Sequence, residues 1–79
     1  MSEKYSYDLE VDTSGLVCPL PILKAKKALA TIESGQVLKV ITTDKNAIKD
    51  FQAFATQTKN ELVAQEVLDA SAVHYLKRR

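Results

Sequence analysis

Thr13-Ser14-Gly15-Leu16-Val17-Cys18-Pro19-Leu20-Pro21 is the stretch where the hydrophobic period of this chain changes. On its N-terminal side Tyr5, Tyr7, Leu9 and Val11 alternate with Ser6, Asp8, Glu10 and Asp12. A period of two built on aromatic and β-branched residues predicts a strand with one buried face. On its C-terminal side Leu20, Leu23, Ala28, Leu29 and Ile32 recur near helical spacing, with Ala25 on the same stripe. That pattern predicts an amphipathic helix of about four turns from Pro19. Ser34 and Gly35 stop it, since glycine accepts the left-handed backbone of a helix end.

Working outward, Val37 to Thr43 reads as a second strand, with the nearly continuous apolar run of a strand covered on more than one side. Asp44 or Asn46 is suited to cap a second helix, whose inward face is Ala47, Ile48, Phe51, Phe54 and Ala55. Lys59 and Asn60 end that helix, and asparagine is the one expected to take a positive φ. Glu61 to Leu68 and Ala72 to Lys77 read as a hairpin turning at Asp69, Ala70 and Ser71. The order β-α-β-α-β-β predicts an α/β (α+β) two-layer sandwich. A four-stranded mixed sheet carries both helices on one face, because right-handed crossovers in one direction land on the same side. The opposite face is left to meet water or a partner.

Seventy-nine residues accommodate one domain, spanning 1–79, with no second core. A composition of 46% hydrophobic and 27% charged residues excludes a disordered or low-complexity chain. The formal charge of +1 and the few aromatics argue against a nucleic-acid binder held by phosphate contacts. No apolar run is long enough to span a bilayer. Met1 to Tyr7 are polar with both charge signs, unlike a secretory signal, and one cysteine makes no internal disulfide. A cytoplasmic location is therefore expected.

The chemistry centres on Cys18. Pro19 fits a first helical position, where an N–H has no partner anyway, and a residue before proline takes the extended geometry of an N-cap. Cys18 is thus expected at the N-cap and Pro21 at the third helical position, leaving the Leu20 and Ile22 amides nearest the sulfur. The positive end of a helix favours thiolate over thiol, and the thiolate is the nucleophile. Gly15 allows a tight turn just before it. The competing reading is a small buried hydrophobe, the commonest state of a free cysteine. The helix start and the flanking prolines favour the reactive one.

Cys-Pro-Leu-Pro at 18–21, preceded by Gly15-Leu16, resembles the CPxP signature of the TusA (SirA-like) sulfur-carrier family. The resemblance runs on through Ile22 to Leu29, Gly35 to Val40, Thr43-Asp44, Asp50-Phe51, Gln57-Thr58 and Glu61-Leu62. It implies the same β-α-β-α-β-β sandwich, and a protein that takes up sulfane sulfur as a persulfide on Cys18 and passes it to a partner. In that comparison Gly15 is the turn glycine, and Pro19 and Pro21 shape the helix start. The implied partners are a sulfur donor of the rhodanese or cysteine desulfurase type and a sulfur-acceptor protein, with no cofactor, no metal, no membrane and a monomeric carrier. Two positions depart from the family pattern: Ser14 stands where arginine is frequent, and Lys59 where glycine is usual. Asp12 and Asp44 match recurring family acids without an assigned role.

His74 is the single histidine, and with one cysteine it cannot complete a tetrahedral metal site within a monomer. It reads as a core residue. Phe51 and Phe54 read as core by their spacing, while Tyr5 and Tyr7 read as partly exposed on an edge strand. Lys24, Lys26 and Lys27 adjoin the motif and are candidates for steering an acidic partner toward Cys18. The terminal Lys77-Arg78-Arg79 reads as a solvated tail. Outside the carrier reading stand a non-catalytic protein-binding module with a structural cysteine, and a thiol redox protein, which the lack of a resolving cysteine disfavours.

Overall fold

The computed structural model describes residues 5–79; Met1 to Lys4, part of the polar N-terminal stretch, lie outside the described residues. Six elements follow one another: β1 (Leu9–Asp12), α1 (Leu20–Leu29), β2 (Val37–Thr42), α2 (Ala47–Thr58), β3 (Glu61–Val67) and β4 (Ala72–Lys77). They form an α+β fold with a mixed four-stranded sheet in the order β1-β2-β4-β3. β1 lies parallel to β2, while β4 is antiparallel to both β2 and β3. The β3–β4 hairpin folds back so that β4 fills the slot between β2 and β3. The crossover through α2 therefore spans a strand that comes later in the chain.

One face of the sheet and both helices share a core. Leu38 pairs with Leu76 and Val40 with His74 across β2 and β4. Leu38, Val40 and Leu76 are completely buried beneath Ala25, Leu29, Phe51 and Phe54. Burying one side chain of the size of Phe51 contributes about 1.5–3 kcal/mol. The expected pairing of Phe51 and Phe54 as core is what the structure shows, edge to face at 6.1 Å.

Several local expectations are corrected. α1 spans ten residues rather than about four turns. Its buried stripe is Pro21, Ala25, Ala28 and Leu29, while Leu20 and Leu23 are exposed. At the end of α2 it is Lys59, not Asn60, that takes the left-handed backbone, with φ 63°. Asn60 instead uses its side chain, donating from Nδ2 to Thr58 and accepting the Arg79 amide.

β1 begins at Leu9, so Tyr5 and Tyr7 are not strand residues. The chain before β1 lies against the helix-free face. The Tyr5 ring packs on Tyr75 at 5.0 Å, and the Lys39 ammonium sits 4.9 Å from the Tyr7 ring centre. Glu10 pairs with Lys39 at 3.6 Å on the same face. This explains why Tyr75 is buried although it points away from the helices. The face expected to wait for water or a partner is partly covered by the chain itself.

Candidate functional site

β1 and β2 run parallel, so both end at the same edge of the sheet, and each leads into a helix there. Loops leaving the carboxyl ends of parallel strands are where open sheets of this kind build their sites. The β1–α1 loop hangs on the β2–α2 loop by a series of hydrogen bonds. Thr13, fully buried, donates through its amide (2.8 Å) and its hydroxyl (2.6 Å) to the Ile41 carbonyl. The Gly15 amide donates to Thr43 Oγ1 at 2.8 Å, and the Cys18 amide to Asp44 Oδ2 at 2.9 Å. Gly15 has φ +83° with open space around it, so the residue is required there by backbone conformation and not by crowding.

Asp44 joins the two loops. Its Oδ1 accepts the Asn46 amide at 3.3 Å and its carbonyl accepts the Ala47 amide at 3.0 Å, while Oδ2 holds Cys18. Asn46 occupies the N-cap of α2 without a side-chain capping bond, so the turn made by Asp44 organises that helix start. Asp12 does the same for the first loop: its Oδ1 accepts both the amide (2.9 Å) and the hydroxyl (2.6 Å) of Ser14. Those two bonds hold the Asp12 carboxyl below its ordinary range. Ser14, at the position where the family often has arginine, thus braces the turn.

The start of α1 differs from expectation by one residue. Pro19 is the N-cap and Leu20 the first helical residue, which puts Pro21 at the second helical position and Cys18 outside the helix. The Cys18–Pro19 peptide bond is cis. The Leu20 amide is taken by the Val17 carbonyl at 2.8 Å, and Pro21 has no N–H. Few free amides are left to face the sulfur, so the helix end does not dominate its surroundings.

Carboxylates do. Asp50 first, then desolvation, then the negative charge of Asp44 push the Cys18 thiol above its usual range. That direction runs against the expected stabilisation of the thiolate by the helix N-terminus. Cys18 is nevertheless exposed, which removes the alternative of a core cysteine packed as a small hydrophobe. Within five residues of it along the chain, Val17, Leu20 and Leu23 are 63%, 42% and 50% exposed, an apolar collar at the start of α1. Leu20 and Leu23 were hidden in the sequence because their spacing matches a buried stripe. Asp50 entered the sequence reading only as part of the Asp50-Phe51 stretch of the family resemblance.

The other candidates are placed as follows. Lys24, Lys26 and Lys27 are exposed on α1. His74 is fully buried on β4, stacked on Phe51 at 4.5 Å. Gln65 Nε2 donates to its Nδ1 at 3.0 Å, and an amide nitrogen only donates, so Nδ1 accepts and Nε2–H faces Thr42 Oγ1 at 2.8 Å. A neutral imidazole satisfies every partner, and burial lowers its pKa to about 4. Nothing pairs it with Cys18. Among the described residues no group of three His, Cys, Asp or Glu side chains is placed to hold a metal ion, and no helix is long and apolar enough to cross a membrane. A cavity of about 400 Å³ lies between the β2–α2 loop and the β3–β4 hairpin, sharing Thr43 and Asp44 with the site but not reaching Cys18.

With this geometry the comparisons agree. The family described as "Sulfurtransferase TusA" matches residues 9–78. The chain belongs to the TusA family. It is 52% identical over 73 residues to the sulfur carrier protein TusA of Allochromatium vinosum, covering 92% of this chain and 95% of that one. A putative sulfur carrier protein of Neisseria meningitidis serogroup A is 54% identical over 61 residues, covering 77% and 76%. The crystal structure of the SirA-like protein from Desulfitobacterium hafniense superposes with a TM-score of 0.72 at 27% identity, covering 89% of this chain and 96% of that one. That TusA fold is the α+β sandwich described above.

Proposed function

We propose that this TusA-family protein, acting as one unit over 1–79, is a sulfur carrier that takes a sulfane sulfur onto Cys18 as a persulfide and hands it to a partner protein. The observation that carries the reading is an exposed thiol on a loop fixed at its backbone by the β2–α2 segment. A carrier needs an accessible sulfur that does not wander, and four hydrogen bonds to residues 41–44 supply that. Gly15 makes the turn, and Pro19 and Pro21 shape the chain leaving it.

In the accepting step Cys18 loses its proton to water, and Sγ attacks the outer sulfur of a donor R–S–SH. A Cys18 Sγ–S bond forms while the donor's S–S bond breaks. The electron pair leaves on R–S⁻, which takes a proton from water. The net change is Cys–SH plus R–S–SH giving Cys–S–SH plus R–SH, with the sulfane sulfur unchanged in oxidation state. Delivery reverses the roles, an acceptor thiolate attacking the outer sulfur. No cofactor enters either step.

The donor is a rhodanese- or desulfurase-type persulfide protein and the acceptor another thiol protein, both meeting the Val17, Leu20 and Leu23 collar. Exposed apolar residues beside a reactive atom suit a protein surface that docks and releases. Lys24, Lys26 and Lys27 flank that collar and steer acidic partners in the cytoplasm. A monomer keeps the site open to both partners, and nucleic acid is not contacted directly.

The test is intact mass after incubation of the reduced protein with polysulfide. Whole sulfur atoms should be gained, removed by reductant and absent from Cys18→Ser. A folded wild type with a titratable thiol and no sulfur gain would refute the reading.

A further inference from the structure

The cavity of about 400 Å³ between the β2–α2 loop and the β3–β4 hairpin opens at the same edge of the sheet as the loop that carries Cys18. Its volume is that of a small-molecule site. Thr43 and Asp44 line the cavity, and their side chains also accept the Gly15 amide at 2.8 Å and the Cys18 amide at 2.9 Å. Cavity and carrier loop are thus separated by the width of those two side chains. Ile48, Val67 and Leu68 give the cavity an apolar patch, and Val67 and Leu68 are 66% and 56% exposed, as in grooves that take a ligand. Lys45 stands on the loop wall and Asp69 on the hairpin wall. Among the described residues neither forms an ion pair, with the other or with a third group. Lys45 precedes the Asn46 N-cap of α2 by one residue, so an anion paired with Lys45 also meets the positive end of that helix. The remaining charged residue of the lining, Asp44, is taken up by the Cys18 and Asn46 amides. An apolar trough with one free cation and one free anion on facing walls complements a molecule that carries both signs of charge.

We propose that this cavity is a donor subsite for a small zwitterionic persulfide, an amino acid or short peptide R–S–SH bearing both an ammonium and a carboxylate. This deepens the carrier reading and rests on it. The carboxylate pairs with Lys45 at the start of α2, the ammonium pairs with Asp69, and the aliphatic part lies on Ile48, Val67 and Leu68. The sulfur end passes Asp44 toward Cys18. Cys18 gives its proton to water, and Sγ attacks the outer sulfur of the donor. An Sγ–S bond forms, the donor's S–S bond breaks, and the electron pair leaves on R–S⁻, which takes a proton from water. No atom changes its oxidation state overall, and no further reactant is consumed. Ion pairs at exposed side chains are weak, so the donor exchanges rapidly and the spent thiol R–SH leaves the cavity after each transfer. Loading by this route needs no protein donor, and the collar of Val17, Leu20 and Leu23 stays open for the acceptor.

The experiment has a binding arm and a loading arm. In the first, S-methylglutathione, an unreactive peptide thioether with both charges, is titrated into the reduced wild-type protein and backbone amide shifts are followed by NMR. Saturable shifts centred on Lys45, Ile48 and residues 67–71 are expected, weaker in Lys45→Gln and in Asp69→Asn. They should vanish in Ala70→Tyr, which places a ring in the cavity from an exposed position. In the second arm, the rate of sulfur gain on Cys18 is read by intact mass with glutathione persulfide and, separately, with inorganic polysulfide. Lys45→Gln and Asp69→Asn should each raise the half-saturating concentration of glutathione persulfide relative to polysulfide by about two- to fivefold. An absence of saturable shifts in the wild type, which involves no variant's folding, overturns the proposal, as do shifts confined to other surfaces. Variants that change loading from both donors equally overturn it as well. Binding in the cavity with no sulfur gain from either donor refutes the carrier reading and leaves a zwitterion site. Loading from both donors without binding in the cavity removes the subsite and leaves the carrier reading standing.

Discussion

His74 ties the stability of this fold to pH in a way that can be worked out in advance. The perturbation is acidification from about pH 7.5 to about pH 5. The folded imidazole titrates at about 4 because burial between Phe51, Thr42 and Gln65 penalises the charged form. In the unfolded chain it titrates at its ordinary 6.5. Between those values the unfolded state binds the proton and the folded state does not, so stability falls as pH falls. The contribution is fully present above 6.5 and is lost toward 4. Each pH unit inside that window removes roughly 1.4 kcal/mol, and rounding at the upper end leaves about 2 kcal/mol lost by pH 5. With a urea slope of roughly 1 kcal/mol/M for so small a domain, the midpoint should drop by about 2 M. Urea titrations in pH steps measure this, and the imidazole proton shifts in NMR report the folded midpoint directly. In His74→Gln, which has nothing to titrate there, the slope between about pH 6.5 and 5 should flatten. A folded imidazole midpoint near 6.5, or a wild-type slope that persists in His74→Gln, would refute the assignment of a neutral, buried ring.

The collar and the lysines make separable predictions about transfer. Leu23→Glu alters a half-exposed side chain, so stability should change by no more than about 0.5 kcal/mol, while sulfur delivery from a protein donor slows and loading from polysulfide does not. Lys26→Glu combined with Lys27→Glu should slow protein-to-protein transfer most at low ionic strength; equal rates at low salt would remove those lysines from partner steering. Gly15→Ala meets no steric obstacle but inherits φ +83°, which should destabilise the protein by about 1–2 kcal/mol in thermal unfolding. An alanine variant as stable as the wild type would show that the turn relaxes at no cost.

Much of the fold was legible because it follows from local periodicity. β2 is a strand as read, but its nearly continuous apolar run is not buried throughout: Leu38, Val40 and Thr42 are buried and Val37, Lys39 and Ile41 only partly so. Phe51, Phe54 and Ala55 recur along α2 and form its inner face. Ala72 to Lys77 is a strand as read, and the hairpin closes through the Leu68 amide on the Ser71 carbonyl. Local rules failed where two rules competed. The helix was expected to begin at Pro19, and it begins one residue later, at Leu20 with Pro19 as the N-cap. Leu20 and Leu23 have core spacing but are exposed, so hydrophobicity alone did not bury them. Lys59 took the left-handed position because Asn60 was drawn into bonds with Thr58 and Arg79.

By itself the sequence determined the element order, the inward face of α2, and the identity of Cys18 as the one thiol on a loop between strand and helix. These depend on the backbone repeat and on the conformational limits of glycine and proline, which act over a few residues. Tertiary structure decided that β4 lies between β2 and β3, that Tyr5 covers the helix-free face, and that His74 is neutral. It also decided which groups surround the site. Local sequence pointed to a helix end that would favour thiolate; packing brought Asp44, 26 positions away along the chain, onto the Cys18 amide, and carboxylates push the thiol the other way. Hydrogen bonding and Coulomb interaction act through distance in space, and which distant groups become neighbours is fixed only when the two crossovers close.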